Sequence, residues 1–446
     1  MRFVGHKKEL QIMGVNHSMS TQKKVILSAP LLTLSGYGEQ GRFALRSLLT
    51  RPDLYDVYID ALNWGKCGWL HEDNEERRII DGLLQKTIAY KQSGPEAGFD
   101  ISIQCTIPNE WQKIAPINIG YTAGMETTRV AHQWLEKAKI MDRIIVVSNH
   151  SKNTFDGTVY EMRHPETDAL HGELRNTTPV DVVNYPVKNF EPSQDILDLK
   201  FGTSFNLLCV AQSGPRKNVF NTIKWFIEEF HDDKSAGLVL KIFTQNNSLI
   251  DREHTLVGIK RITKSYQNMK CKIHLLHGNM TDTEVNSLYT HPKIKGLLSL
   301  THGEGFGLPL FEAAYNGLPV IAAPWSGQMD FLMATPKSRS KKKTAKPRQP
   351  TPHMLEVDYT LVPVPKEVVW EGVLIKDSMW AEPVEASAKK CMRSLKEDSR
   401  KHKTKAANLK RQILENFTSE KMHSKFVSSV ESAATPSAPQ NVQVFT

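Results

Sequence analysis

Residues 296–317 read Gly296-Leu297-Leu298-Ser299-Leu300-Thr301-His302-Gly303-Glu304-Gly305-Phe306-Gly307-Leu308-Pro309-Leu310-Phe311-Glu312-Ala313-Ala314-Tyr315-Asn316-Gly317. The first five residues form a short apolar run of the kind that fills a buried strand. Pro309 suits the first turn of a helix, where its missing N–H costs nothing, and Gly317 suits the position just past a helix end. The spacing therefore predicts strand, loop and helix, with Glu304 on the loop and Glu312 in the first helical turn. Gly303, Gly305 and Gly307 carry no side chain, so a ligand can approach the backbone, and the free N–H groups of a helix start can bind phosphate. Each anionic contact there contributes about 0.3–2 kcal/mol. The two carboxylates can accept hydrogen bonds from hydroxyl groups of a ribose and a hexose, about 1.5–3 kcal/mol each. Taken singly, Glu312 could merely complement the helix dipole, and Glu304 could simply be solvated.

The same unit recurs on either side of this stretch. Downstream of residue 203, apolar runs at Asn206–Val210, Val239–Phe243, Ile273–Leu276 and Val320–Ala323 alternate with helical patterns. One of those helices opens on Thr281 and Glu284, a T-x-x-E capping box. Upstream, Val25-Ile26-Leu27, Val57-Tyr58-Ile59, Asp100–Ile103 and Arg143–Val147 read as strands, with a glycine-rich turn at Gly36 leading into the helical pattern Phe43, Leu45, Leu48 and Leu49, and helices around 75–90 and 128–139. Such alternation predicts α/β architecture with parallel sheets covered on both faces. At 446 residues, two facing Rossmann-like domains are expected rather than one core.

The expected divisions are an N-terminal extension over 1–22, a first domain over 23–186, a linker over 187–203 and a second domain over 204–384. A helical segment over 385–426 and a disordered tail over 427–446 complete the chain. Within the second domain, residues 335–351 hold Lys337, Arg339, Lys341, Lys342, Lys343, Lys346 and Arg348 and no acid. Without these seven, 50 basic residues stand against 48 acidic ones, so seven of the nine net positive charges belong to this loop and the remainder of the chain is nearly neutral. It reads as a solvated insertion, with nucleic acid or an anionic surface as its alternative partner. Lysines without interleaved aromatics argue weakly for nucleic acid. No apolar run reaches the roughly 18–20 residues that span a bilayer, and residues 1–22 lack the apolar stretch of a signal peptide, so a cytoplasmic protein without a transmembrane segment is expected. Five cysteines with no C-x-x-C spacing argue against a disulfide framework and a zinc site.

Two further elements carry chemistry. Ser213-Gly214-Pro215-Arg216-Lys217-Asn218 follows the 206–210 strand and precedes a helix with Val219, Ile223, Phe226, Ile227 and Phe230 on one face. Cations are not favoured at a helix N-terminus by the dipole, so their presence suits an anion held between helix and side chains. Gly36-Tyr37-Gly38-Glu39-Gln40-Gly41 lies between the first strand and its helix and satisfies G-x-G-x-x-G, with Asp60 about 20 residues on. That pattern supports an NAD-dependent oxidoreductase as the alternative, although Pro30 to Ser35 make the connection longer than the usual dinucleotide turn, and such an enzyme would leave the paired glutamates and the Arg216-Lys217-Asn218 element unexplained.

Together, Glu304 and Glu312 form E-x7-E within G-E-G-F-G-L-P-L-F-E-A-A-Y-N-G-L-P-V-I-A. This stretch closely resembles the donor-binding signature of GT-B glycosyltransferases, in particular retaining family 4 (group 1). The resemblance implies that Glu304 contacts the transferred sugar and Glu312 the ribose, with Gly305, Phe306, Gly307 and Leu308 against the sugar and diphosphate. Arg216 and Lys217 resemble the R-K-N element that grips the diphosphate, Lys217 being the closer match. A glycine-rich loop at Gly36 and Gly38 would face the donor phosphates across the cleft. Residues 118–134 resemble the family's first domain, yet lack a histidine in the loop, which makes Glu126 the candidate for orienting the acceptor. Trp380-Ala381-Glu382-Pro383 resembles the element before a final helix that crosses back to the first domain. The implied reaction is retaining transfer of a hexose from a nucleoside diphosphate sugar to an acceptor hydroxyl. Glu304, Lys217 and Glu126 would carry catalysis, without cofactor, and with no D-x-D motif to call for a metal. A nucleotide-sugar epimerase on the same fold remains the second alternative.

Overall fold

The computed structural model describes residues 22–94, 98–164, 166–335 and 349–435. The extension up to residue 21, the basic stretch 336–348 and residues 436–446 lie outside the described residues.

Short apolar runs become two parallel six-stranded sheets. The first contains β1 (Lys23–Ala29), β2 (Tyr55–Ala61), β3 (Ile101–Cys105), β4 (Ile117–Thr122), β5 (Arg143–Val146) and, after an antiparallel excursion of β6 (Val159–Arg163) and β7 (Leu170–Arg175), β8 (Val180–Val182). Its order is β2-β1-β3-β4-β5-β8. The second contains β9 (Phe205–Gln212), β10 (Ala236–Phe243), β11 (Lys272–Leu275), β12 (Ile294–Leu298) and β13 (Val320–Ala322). A small antiparallel pair, β14 (Met333–Ala334) with β15 (Thr351–Pro352), precedes its last strand, β16 (Leu355–Glu356). The order is β11-β10-β9-β12-β13-β16. Strands buried on both faces need continuous apolar sequence, and Val25, Leu27, Leu207, Leu208, Leu238 and Leu240 are all fully buried. Each such side chain contributes about 1.5–3 kcal/mol of burial.

The helix Gly36–Leu49 begins earlier than a glycine loop would allow. Ser35 caps it by accepting a hydrogen bond from Gly38 N, so the glycines expected to form a loop lie within its opening turns. Glu312 is likewise the fifth residue of the helix Leu308–Tyr315, one turn beyond the start. The helix expected over 128–139 is confined to His132–Ala138. Residues 128–130 are held otherwise, Thr128 N donating to Met379 O at 3.0 Å and Val130 N to Thr158 Oγ1 at 3.2 Å. The 187–203 stretch contains a short helix, Gln194–Leu197, and buries Val187, Ile196 and Phe201.

Two features tie the sheets together. The first is an arm made by β17 (Tyr359–Pro363) and β18 (Met379–Pro383), an antiparallel pair rooted in the second domain. Its tip reaches the first domain, where Asn109 Nδ2 donates to Gly372 O at 2.9 Å and Val373, Leu374 and Ile375 cover the cluster around Trp111 and Trp134. The second is the C-terminal helices. Glu385–Glu397 and Ser399–Asn416 pack on the second domain, whereas Ser419–Ala434 crosses back and packs on the helix Gly36–Leu49 and on β4. Phe426 is fully buried, 5.8 Å from the Phe43 ring and 5.3 Å from that of Tyr121. The disordered tail expected from residue 427 therefore does not begin there, because Val427 and Val430 complete the apolar face of this helix. All five cysteines are unpaired, and no helix among the described residues is long and apolar enough to cross a membrane.

Candidate active site at the strand ends

In an open parallel sheet the loops leaving the carboxyl ends of the strands part company where the strand order reverses, and the crevice between them takes ligands. In the second sheet that point lies between β9 and β12, which are hydrogen-bonded neighbours with connections running to opposite sides. The loop after β9 is 213–218 and the loop after β12 is 299–307. The two motifs read from the sequence are thus brought together by topology.

Their contact is direct. Glu304 is buried, and its carboxylate receives Lys217 Nζ at 2.6 and 2.8 Å and Arg216 Nη1 at 3.1 Å. Arg216 and Lys217 sit on a short 3-10 turn, Pro215–Lys217, joined to the helix Val219–Phe230 by Asn218 in a left-handed conformation of φ 52°. Arg216 also donates to Gly303 O at 2.6 Å, while its own carbonyl accepts from His302 N at 2.9 Å and Thr301 Oγ1 at 3.2 Å. From the first domain, Glu126 reaches Arg216 Nε at 3.1 Å. Three of the expected catalytic groups, Glu304, Lys217 and Glu126, therefore share one network with Arg216.

Burial alone would raise the Glu304 pKa, but the adjacent Lys217 and Arg216 outweigh it and hold the carboxyl at about 2. Its contribution to stability is present above its ordinary pKa of 4.5 and is lost as pH falls through about 2. Burial pulls the Lys217 ammonium below its usual range, with Glu304 opposing. Glu312 is set apart from this network. It is half-buried, accepts a hydrogen bond from Tyr289 OH at 2.8 Å, and burial raises its pKa to about 7.

The glycines do something the sequence did not reveal. A Cβ on Gly303 would sit 2.5 Å from Glu126 O, and one on Gly305 would sit 2.5 Å from Ala123 O. The space they leave is filled by the first domain's 123–126 loop, so here they permit a close approach between domains. Gly307 adopts φ 94°, which favours glycine, and starts the helix. Phe306 is buried among Tyr185, Phe311 and Phe331, at 5.1, 5.2 and 4.9 Å. Leu308 is half-buried at the head of that helix. In the first domain, a Cβ on Gly38 would collide with Thr33 O, and one on Gly41 would meet Ala29 Cβ at 2.7 Å, whereas the space at Gly36 is open. The G-x-G-x-x-G pattern is accounted for at its second and third glycines by helix–strand packing. Asp60 lies near the end of β2.

Several residues of this region escaped sequence reasoning. Ser326 Oγ accepts from Glu304 N at 2.8 Å and Gly327 N donates to Glu304 O at 2.9 Å, so the segment after β13 fixes the glutamate's backbone. His302 stacks on Trp380 with centroids 4.3 Å apart and meets Ala381 O through Nδ1 at 2.8 Å, tying the loop to the arm. Since Ala381 O can only accept, His302 Nδ1 carries the proton. Lys188 bridges Glu39 of the first domain, 2.8 Å away, and Asp282 of the second, 3.1 Å away. A position at the carboxyl end of β13 was the one available signal for Ser326; nothing local marked the others.

Compared with known proteins, the architecture is that of GT-B enzymes, two Rossmann-like domains facing each other across a cleft. Residues 199–335, which include both loops at the switch point, match the family described as glycosyl transferases group 1. No curated protein matches the chain by sequence. Among solved structures, sucrose-phosphate synthase from Thermosynechococcus elongatus is similar with a TM-score of 0.58 and 13% identity, over 93% of this chain and 100% of that one. HepE of Anabaena in complex with UDP-glucose is similar with a TM-score of 0.52 and 12% identity, over 92% of this chain and 100% of that one. Identities this low speak for the fold alone.

Proposed function

We propose that this protein transfers a hexose from a nucleoside diphosphate sugar to an acceptor hydroxyl, with retention at the anomeric carbon. The observation that carries the reading is the convergence of Arg216, Lys217 and Glu304 at the switch point of the second sheet, with Glu126 facing them. In the reaction the bond from the anomeric carbon to the diphosphate oxygen breaks, and the oxygen leaves with the electron pair. Lys217 and Arg216 would exchange part of their pairing with Glu304 for the diphosphate, whose charge grows as the bond breaks; such placed charges act most strongly where water is excluded. Glu304 would then accept hydrogen bonds from the sugar hydroxyls, Glu312 from the ribose, and Glu126 would orient the acceptor hydroxyl, whose oxygen forms the new bond on the face the diphosphate leaves while its proton passes to the departing diphosphate oxygen. The solved HepE complex with UDP-glucose supports a nucleotide sugar as donor class. Gly36, where the space is open, is proposed to border the donor phosphates from the first domain, whereas Gly38 is taken up by packing on Thr33.

A panel of nucleotide sugars tests the donor, because a ligand of the folded state alone raises the melting temperature by mass action. At least one member is expected to do so and to be turned over with an acceptor, giving a product of unchanged anomeric configuration by NMR. Stabilisation by NAD and by no nucleotide sugar would overturn the reading. Release of an altered free nucleotide sugar would assign an epimerase instead.

A further inference from the structure

Beside Glu126 the cleft wall is aromatic. Trp325 follows β13, is half-buried, and donates from Nε1 to Glu126 O at 3.3 Å. Its ring centroid lies 5.1 Å from that of His150, at an interplanar angle of 70°, and 5.9 Å from that of Tyr359. His150 comes from the helix Asn149–Gly157 of the first domain, whereas Trp325 and Tyr359 come from separate segments of the second. The His150 Nε2 atom is buried and has no hydrogen-bond partner among the described residues. Next to these rings, Asp330 Oδ2 accepts from Asn149 N at 2.9 Å, Asn149 Nδ2 at 3.1 Å and Asn184 Nδ2 at 2.9 Å.

We infer that Trp325, flanked by Tyr359 and His150, is the platform on which a carbohydrate acceptor lies, with Asn149 and Asp330 at its polar rim and the reacting hydroxyl turned toward Glu126. This rests on the glycosyl-transfer reading above and supplies its acceptor class. A pyranose presents a face of C–H groups with slight positive charge, which an aromatic face attracts, and a rim of hydroxyls that planar amides and carboxylates bind in both donor and acceptor roles. An acyl chain needs a long apolar groove, and the wall here is short, with charged Glu126 and Asp330 at its borders.

The test uses the full chain. Labelled protein is applied to an array of immobilised glycans in the presence of UDP, GDP or ADP, and nucleotide affinity is measured separately by calorimetry. Retention on a set of saccharides is expected. Trp325→Ala should weaken that binding about tenfold, roughly 1.4 kcal/mol, while Trp325→Phe stays within about threefold and nucleotide affinity changes little in both. Tyr359→Ala, at the border of the platform, gives a second reading if Trp325→Ala lowers the melting temperature too far. Nucleotide binding with no saccharide retained, capture on phospholipid vesicles instead, or saccharide binding indifferent to all three variants would overturn the assignment. Saccharide binding that depends on Trp325 with no nucleoside diphosphate bound would leave the platform standing and sink the donor reading alone.

Discussion

After β1 the chain turns into the helix Gly36–Leu49, and after β12 it turns into the helix Leu308–Tyr315; both connections are rich in glycine, and they differ in what the glycines touch. Gly38 and Gly41 press on Thr33 and Ala29 of their own domain. Gly303 and Gly305 press on Glu126 and Ala123 of the other. The second connection is also met by charge from both domains, Arg216 and Lys217 on one side and Glu126 on the other. A spacing of glycines thus marks close approach of backbones, and what distinguishes a ligand site is the charged groups that arrive at the same strand ends.

The sharpest way to break this contrast is at Lys217. Lys217→Ala should reduce turnover on the order of a hundredfold, since it removes the charge proposed to meet the leaving diphosphate. Steady-state kinetics with the donor found in the stabilisation panel checks this, and undiminished turnover would remove Lys217 from the mechanism. At the first connection the expected effect is on the fold. Gly38→Ala should cost about 1–3 kcal/mol in denaturant unfolding, as overpacking does, with donor affinity within about threefold. A large loss of affinity without a loss of stability would instead make Gly38 a donor contact.

Glu312 offers a gentler probe. With its pKa raised to about 7, it becomes a full carboxylate acceptor only above neutrality. Donor affinity should rise severalfold between pH 6 and pH 8 in the wild type and stay flat in Glu312→Gln, by calorimetry. The stability term has the opposite sense, because the fold prefers the protonated form: it is fully present below the ordinary value of 4.5 and disappears as pH rises through about 7. A Glu312→Gln protein with the same affinity slope would exclude the ribose assignment.

The smallest effect is expected from deleting 337–348. Ala334 pairs with Thr351 and Met333 with Pro352, so the deletion leaves a connection of Thr335, Pro336, Gln349 and Pro350, about the length of an ordinary hairpin loop. The melting temperature should move by no more than a few degrees, and salt-dependent binding to polyanions should fall. A collapse on heating would show that the basic stretch is needed by the fold.

Much of this was legible because the signals were local. Parallel strands between helices announce themselves as apolar runs, and Pro309 and Gly317 bracket their helix within one turn. Glu304 and Lys217 could be paired from sequence only through resemblance, since 87 residues separate them and the strand order decides that their loops meet. The reach of Glu126 to Arg216 depends on how two domains dock, which no local spacing encodes. The arm was illegible for a related reason: residues 364–378 have little periodicity, and Val373, Leu374 and Ile375 find their apolar partners, among them Trp111 and Trp134, in another domain. The start at Gly36 turned on a single cap, Ser35, and the true extent of the last helix on Val427 and Val430, whose partners lie at the other end of the chain.

That last helix has a consequence for synthesis. Phe43 and Tyr121 are covered by Phe426, some 300 to 380 positions later, so the first sheet emerges from the ribosome with an apolar face still uncovered. Long-range closure of this kind is slow and leaves surface open to wrong partners. A chain stopped at residue 418 should therefore bind hydrophobic dyes and aggregate through its first domain, although every residue removed lies at the opposite terminus. Emergence of the helix Ser419–Ala434, rather than emergence of the first domain itself, would be the moment at which that domain becomes safe from proteolysis.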